Sequence, residues 1–207
     1  MANAPDRSPA EPTAQTGTVA GVDEPTTSLP SGARRPGLAV PALVVVAAVV
    51  LDQLTKWWAL QTLEDGDIVE VLPTLEFDLA YNNGFSFGTG EGLGRWIGVL
   101  VIAMCVLLVH QIRISETALR ANIAAVVLGG ALGNLIDRVF RADDGPLSGA
   151  VIDFIDVTWY AVFNVADMFV VCGCIAFGLY EVREARRAAA AATEESPSAE
   201  AEEEPAT

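Results

Sequence analysis

The 207-residue chain is 52% hydrophobic and carries a formal net charge of −15. A soluble domain does not combine a positive mean hydropathy with so much unbalanced charge, whereas a membrane protein with acidic ends does. Much of that charge lies in the ends and in the loops between apolar runs, so it argues against a soluble globular class without naming a partner.

Residues 1–33 are Pro, Ala, Thr, Ser and Gly with scattered charge and almost no large apolar side chains. That is too little apolar surface to offset the entropy of ordering, and the segment reads as a disordered N-terminal tail. Residues 34–187 hold four apolar runs, Leu38 to Leu60, Leu93 to Val109, Ala121 to Ile136 and Phe163 to Tyr180. A helix needs about 20 residues to cross a bilayer, so each run spans only with help from its flanks, and the third is the weakest. The first run follows Arg34 and Arg35 but ends in Asp52-Gln-Leu-Thr-Lys-Trp-Trp58 rather than a small-residue cleavage site, which makes it an uncleaved span and not a signal peptide. Loops 61–92 and 139–162 join the spans on one side. Residues 188–207, Ala-rich and then Glu-rich, read as an acidic disordered C-terminal tail whose alanines allow helix at its start.

Arg34, Arg35, Arg113, Arg120, Arg183, Arg186 and Arg187 fall on one side of these spans. Glu64, Asp65, Asp67, Glu70, Glu76, Asp78, Glu91, Asp143 and Asp144 fall on the other. The positive-inside bias puts both termini in the cytoplasm and the two loops outside. In the first outer loop, Leu75, Phe77, Leu79 and Tyr81 alternate with Glu76, Asp78 and Ala80, the period of a half-buried strand lying on the membrane surface. The turn-prone Asn82-Asn83-Gly84 and a return through Gly88, Gly90, Gly92 and Gly94 follow it. The expected fold class is an all-α membrane protein, four transmembrane helices with a small extracytoplasmic β-sheet region.

The polar residues of this framework share one depth, the outer margin of the bilayer. Asp52 and Lys56 lie on one face of the outer part of the first span. Asn82 and Gly84 lie in the first outer loop, Asn134, Asp137 and Arg138 close the third span, Asp153 is in the second outer loop, and Asn164 and Asp167 open the fourth span. Ionisable residues at membrane depth point to function. The stretch Val151 to Asp167 places Asp153 and Asp167 among apolar side chains with no basic residue inside it. A structural reading has Asp153 capping a turn and Asp167 in the first turn of a helix behind an Asn164 N-cap. A functional reading has the two carboxylates meeting in one site. The only histidine, His110, falls at the cytoplasmic end of the second span, and there is neither a His-Glu-x-x-His motif nor a Gly-x-Ser-x-Gly elbow. Cys105, Cys172 and Cys174 lack metal-ligand spacing, so no metal is expected. Trp57, Trp58, Trp96 and Trp159 fall where an interfacial aromatic belt would, and Gly129, Gly130 and Gly133 allow close helix approach.

The series Asp52-Gln-Leu-Thr-Lys56, Asn82-Asn-Gly84-Phe-Ser-Phe87, Gly129-Gly-Ala-Leu-Gly-Asn134-Leu-Ile-Asp137-Arg138, Val151-Ile-Asp153-Phe154 and Phe163-Asn164-Val-Ala166-Asp167 resembles, in order and over about residues 38–182, the motifs of the lipoprotein signal peptidase (signal peptidase II) family. The resemblance implies a four-span inner-membrane aspartic endopeptidase that cuts the signal peptide from diacylglyceryl-modified prolipoproteins just before the modified cysteine. It implies no cofactor, no nucleic acid, prolipoprotein substrates, contact with membrane lipids and a monomeric state. It also implies Asp153 and Asp167 as the catalytic pair. Asp52, Lys56, Asn82, Gly84, Gly133, Asn134, Asp137, Arg138, Asn164 and Ala166 would be the supporting or substrate-binding residues.

Asp137 is the rival for a place in the pair, but its neighbour Arg138 offers it a charge partner that would close the helix end. Two carboxyl groups in a poorly solvated site cannot both ionise easily, so one keeps a proton while the other acts as base toward water. Two other classes stay open. A proton-coupled transporter would also place carboxylates in spans, though at the midplane and with an internal repeat. A membrane scaffold would account for spans and tails but not for ordered polar motifs.

Overall fold

The apolar runs fold as helices longer than the runs themselves, because polar flanks join them. In the computed structural model, which describes residues 36–84, 94–142 and 145–201, the helices are α1 (Ala39–Leu63), α2 (Gly94–Ile114), α3 (Ala118–Phe140) and α4 (Val165–Ala201). All four are long and apolar enough to cross a membrane. Thr117 caps α3, its side-chain oxygen accepting the Arg120 N–H at 3.3 Å. The weakest run by sequence is the central helix, packed against α1, α2 and α4. In α3, 56% of the most apolar window is buried inside the protein, against 22% in α1, 17% in α2 and 11% in α4. Its small and polar residues face other helices, which is why it is the least lipid-like.

Small residues set how closely the helices pack. A Cβ at Gly129 would strike the Ala48 side chain of α1, one at Gly133 would strike the Asp52 carboxylate, and one at Gly130 would strike the Ala166 carbonyl of α4. Cys105, Ile112, Ala121, Ala124, Ala125, Leu128 and Ala131 form the core between α2 and α3.

A three-stranded antiparallel sheet, in the order β1 (Val69–Leu72), β2 (Leu75–Asn82), β3 (Val151–Val157), covers the end of α1. Ala59, Leu63, Ile152 and Phe154 form its core, with Phe77 and Leu79 packed against them. Trp58 stands edge-on to Phe77 at 5.3 Å and to Phe154 at 6.1 Å, so one side of it packs on the sheet while it stays partly exposed, and Trp57, Trp96 and Trp159 are more exposed still. The alternating pattern of 75–81 does form a strand, but its register against β3 shifts between Phe77 and Ala80. This bulge breaks the alternation. Tyr81, in phase with Leu75, Phe77 and Leu79 by sequence, is exposed, while Ala80 pairs with Asp153 and Asn82, two residues on, shares that face.

Two further differences from the sequence reading matter. Asp153, expected in a loop, lies in the third residue of β3. The segment expected as a C-terminal tail from Ala188 continues α4 through Ala201, as its alanine run favours. The expected N-terminal tail, the stretch from Phe85 through Gly92, and Asp143 and Asp144 lie outside the described residues.

Candidate active site

The site is built around a lysine. Asp52 and Lys56, one turn apart on α1, form an ion pair of 2.8 Å with both side chains fully buried. The Lys56 ammonium also reaches Asp137 Oδ2 at 2.9 Å and Asn134 Oδ1 at 2.8 Å, which engages all three of its donors. Each carboxylate in turn takes a backbone N–H. Asp52 Oδ1 accepts from Ala166 at 3.0 Å, and Asp137 Oδ2 accepts from Ile152 at 3.3 Å. Gln53 Nε2 donates to Asp52 Oδ2 at 3.2 Å and to the Gly133 carbonyl at 3.1 Å.

The expected pairing of Asp137 with Arg138 is not what the side chains do. Consecutive residues on a helix point in different directions, whereas i and i+4 share a face. Asp137 therefore meets Arg141, whose Nε lies 3.1 Å from its Oδ1. Arg138 instead donates to the Gly84 carbonyl at 3.1 Å, tying α3 to the turn after β2.

Asp153 and Asp167 come from β3 and from the first turn of α4. Asn164 caps that helix, its Oδ1 accepting the Asp167 N–H at 3.0 Å while its own N–H donates to Asp167 Oδ2 at 3.2 Å. This is a reciprocal box of the kind that closes helix starts. The same Asn164 donates Nδ2 to Asp153 Oδ1 at 2.6 Å and to Asn134 Oδ1 at 3.0 Å. Asn134 Nδ2 donates to Asp167 Oδ1 at 2.8 Å, and Asn82 Nδ2 donates to Asp153 Oδ2 at 2.9 Å. The structural and functional readings of Asp167 are thus compatible, because one asparagine caps the helix and bridges the two carboxyl groups.

The hydrogen-bond network itself fixes which way these amides face. An amide oxygen must meet a group that can only donate. For Asn82 that group is the Gly84 N–H at 3.1 Å, for Asn164 it is the Asp167 N–H, and for Asn134 it is the Lys56 ammonium. Each NH₂ is left turned toward a carboxyl oxygen. Asp153 is buried, and the cost of that burial together with the nearby charge of Asp167 raises its pKa from 3.8 to about 6, against the opposing pull of the Asn82 and Asn164 amides and of Lys56.

The twelve residues singled out by sequence fall in one connected set. Asp52, Lys56, Asn134 and Asp167 form one chain of contacts, and Asn164 joins it to Asp153 and Asn82. Ala166 and Gly133 contact Asp52, Asp137 contacts Lys56, and Arg138 and Gly84 close the set beside Asn82. Sequence reasoning missed Gln53, beside Asp52, and Arg141, whose spacing of four from Asp137 was a legible signal. Among the described residues no group of three or more His, Cys, Asp and Glu side chains is arranged to hold a metal ion.

The family model described as signal peptidase (SPase) II matches residues 44–183. The lipoprotein signal peptidase of Bifidobacterium adolescentis is 40% identical over 144 residues, 69% of this chain and 75% of that protein. The lipoprotein signal peptidase of Mycobacterium tuberculosis is 38% identical over 168 residues, 80% of each. Two solved structures, each of a bacterial membrane enzyme determined by the in meso method, align with TM-scores of 0.64 and 0.62 at 28% identity. They cover 73% and 72% of this chain and 92% and 96% of theirs. With four spanning helices, a sheet over their ends and a family match across two thirds of its length, the chain is a multi-pass bacterial membrane protein that belongs to the signal peptidase II family.

Proposed function

We propose that this protein is an aspartic endopeptidase in which Asp153 and Asp167 activate a water molecule to remove signal peptides from diacylglyceryl-modified prolipoproteins. Membership of the signal peptidase II family makes it a protease of lipoprotein processing. The observation that carries the finer reading is the shared ligand of the two carboxyl groups: Asn164 donates to Asp153 and, through its backbone, to Asp167.

The division of labour follows from burial. Asp153 is 2% exposed and its carboxyl stays protonated to about pH 6, well above an ordinary aspartate. Asp167 is half-buried and accepts two N–H donors. Asp167 then takes the proton from the attacking water while Asp153 donates a hydrogen bond to the scissile carbonyl oxygen. Asp137 is a less suitable partner for Asp167, since both its oxygens are already engaged by Lys56, Arg141 and the Ile152 N–H.

The arginine distribution supports cytoplasmic termini and a site near the extracytoplasmic face. We infer a monomer acting on a substrate held in the surrounding lipid, a reading supported by the family likeness and by four helices apolar enough to sit in a membrane. The test is cleavage of a lipidated precursor by purified wild type, Asp153→Asn and Asp167→Asn. Each variant is expected to fold and to lose at least about 10³-fold in turnover. Wild-type cleavage by either would reject the two-aspartate mechanism.

A further inference from the structure

We propose that Lys56 is a positioning residue for catalysis: by holding the Asn134 carbonyl oxygen it commits the Asn134 NH₂ to Asp167 and so fixes that carboxylate as the base. The inference rests on the aspartic reading above and goes beyond it by giving the lysine a part in the chemistry.

Three asparagines supply side-chain donors to the pair, and each has its oxygen held by a group that cannot accept. For Asn82 and Asn164 the holding group is a backbone N–H, which no side chain can replace. For Asn134 it is Lys56, at 2.8 Å. An amide has nearly the same shape either way round, so nothing but its partners selects the orientation. With the ammonium in place, a flipped Asn134 would set its NH₂ against Lys56 and its oxygen against Asp167 Oδ1, placing donor on donor and acceptor on acceptor. Asn134 Oδ1 also accepts from Asn164 Nδ2 at 3.0 Å, so the orientation passes along the chain to the amide that serves Asp153.

The groups facing Asp167 from every packed element are consistent with this. On α1, Lys56 stands behind Asn134, and Asp52 is held by Lys56 and by the Ala166 N–H. On α3, Asn134 donates directly, Arg138 lies within electrostatic reach, and Asp137 is neutralised by Lys56 and Arg141. On β3 stands Asp153, and Asn164 precedes α4.

The discriminating variant is Asn134→Asp. It keeps the size of the side chain and an acceptor for Lys56, but it replaces the donor facing Asp167 with a carboxylate oxygen. The ionised base is then disfavoured by a lost donor and a gained like charge, so the acid limb of the kcat/KM profile on a lipidated precursor is expected to move to higher pH by about one unit or more. The variant is expected to fold, because Lys56 keeps its acceptor, with a Tm in detergent lowered by only a few degrees at neutral pH for the added buried charge. Lys56→Met, where it folds, is expected to shift the limb in the same direction; where it does not fold, Asn134→Asp decides.

A folded Asn134→Asp or Lys56→Met enzyme with a wild-type pH profile would overturn the proposal, as would an unfolded Asn134→Asp enzyme, since the ammonium would then need the amide for structure alone. If Asp153→Asn and Asp167→Asn both cleave normally, the aspartic reading itself fails. If both are dead while Asn134→Asp keeps its pH profile, only the role of Lys56 fails.

Discussion

Removing the charge of Asp153 is expected to inactivate the enzyme and at the same time to stabilise it above neutral pH. The carboxyl has a pKa raised from 3.8 to about 6 in the fold. At 1.36 kcal/mol per pH unit, this means that keeping Asp153 ionised costs the folded state about 3 kcal/mol. The sign is that of a group binding its proton more tightly when folded. Stability is lost as pH rises between about 4 and about 6, and the full cost remains above that window. At pH 4.5 the cost is only about 1 kcal/mol, because the folded carboxyl is still protonated. Asp153→Asn removes the term at every pH. Both carboxyl oxygens accept an amide N–H, from Asn164 and from Asn82, and an amide at this position keeps only one of those bonds, a loss of about 1 kcal/mol. The balance is a gain of about 2 kcal/mol at pH 8 and about zero at pH 4.5. For a chain of this size it should appear as a Tm raised by about 4–8 °C at pH 8 and hardly changed at pH 4.5. Thermal melting of purified wild type and variant in one detergent at the two pH values reads this directly. A Tm difference that is the same at both, or larger at pH 4.5, would refute the argument that burial and the charge of Asp167 strain this carboxylate.

Three other outcomes follow from the same contacts. Asn164→Ala removes both the cap of α4 and the bridge to Asp153, whereas Asn164→Ser restores only the cap. The serine variant is expected to recover about 1 kcal/mol of stability in melting experiments while cleavage stays at least about 10-fold down in both. Asp137→Ala strands the Ile152 N–H and leaves a buried lysine with one carboxylate, at an expected cost of about 3–5 kcal/mol. Arg141→Ala, with its side chain 34% exposed, should cost under about 1 kcal/mol, and equal losses would contradict the assignment of Lys56 as the main partner of Asp137. Gly130→Ala would put a Cβ 2.5 Å from the Ala166 carbonyl and is expected to lose about 1–3 kcal/mol. Gly178→Ala, with nothing within 4 Å, should be neutral or slightly stabilising by the same measurement.

Much of this arrangement is legible in the sequence where contacts are local. The four spans follow from apolar length, the Asn164 cap from its place three residues before Asp167, and the Asp52–Lys56 pair from helical spacing. Asp137 and Arg141 show the same spacing of four, which outweighs the adjacency of Arg138 because neighbouring residues on a helix point apart. What sequence could not show depends on partners distant along the chain. The strand at Val151–Val157 is hidden because Asp153 and Asp156 interrupt its apolar residues, and it exists by pairing with β2. The bulge between Phe77 and Ala80, which leaves Asn82 on the face of Asp153, has no turn residue to announce it. The central position of α3 is masked for a related reason. A helix wrapped by other helices needs small and polar residues, and by hydropathy alone that reads as a poor span.

The buried charges around Lys56 raise a question that stability does not answer. Replacing a buried ionic triad with apolar residues is often neutral or stabilising, so Asp52, Lys56 and Asp137 are not explained by what they add to folding. Their other contacts offer a reason. Asp52 accepts the N–H of Ala166, the residue before Asp167, and Asp137 accepts the N–H of Ile152, the residue before Asp153. Both carboxylates bind the one ammonium, which also holds the amide that serves Asp167. The backbone on either side of the pair is thereby referred to a single fixed point on α1, although β3 and α4 belong to different layers of the fold. Apolar side chains could fill the same volume, but they could not accept those N–H groups, and Asp153 and Asp167 would be left to the slack of a strand and a helix start. A 1 Å error at such a site can cost about 10²-fold in rate. The ionic cluster is therefore best understood as a positional device, its desolvation cost borne by the fold so that Asp153 and Asp167 keep their distance and orientation.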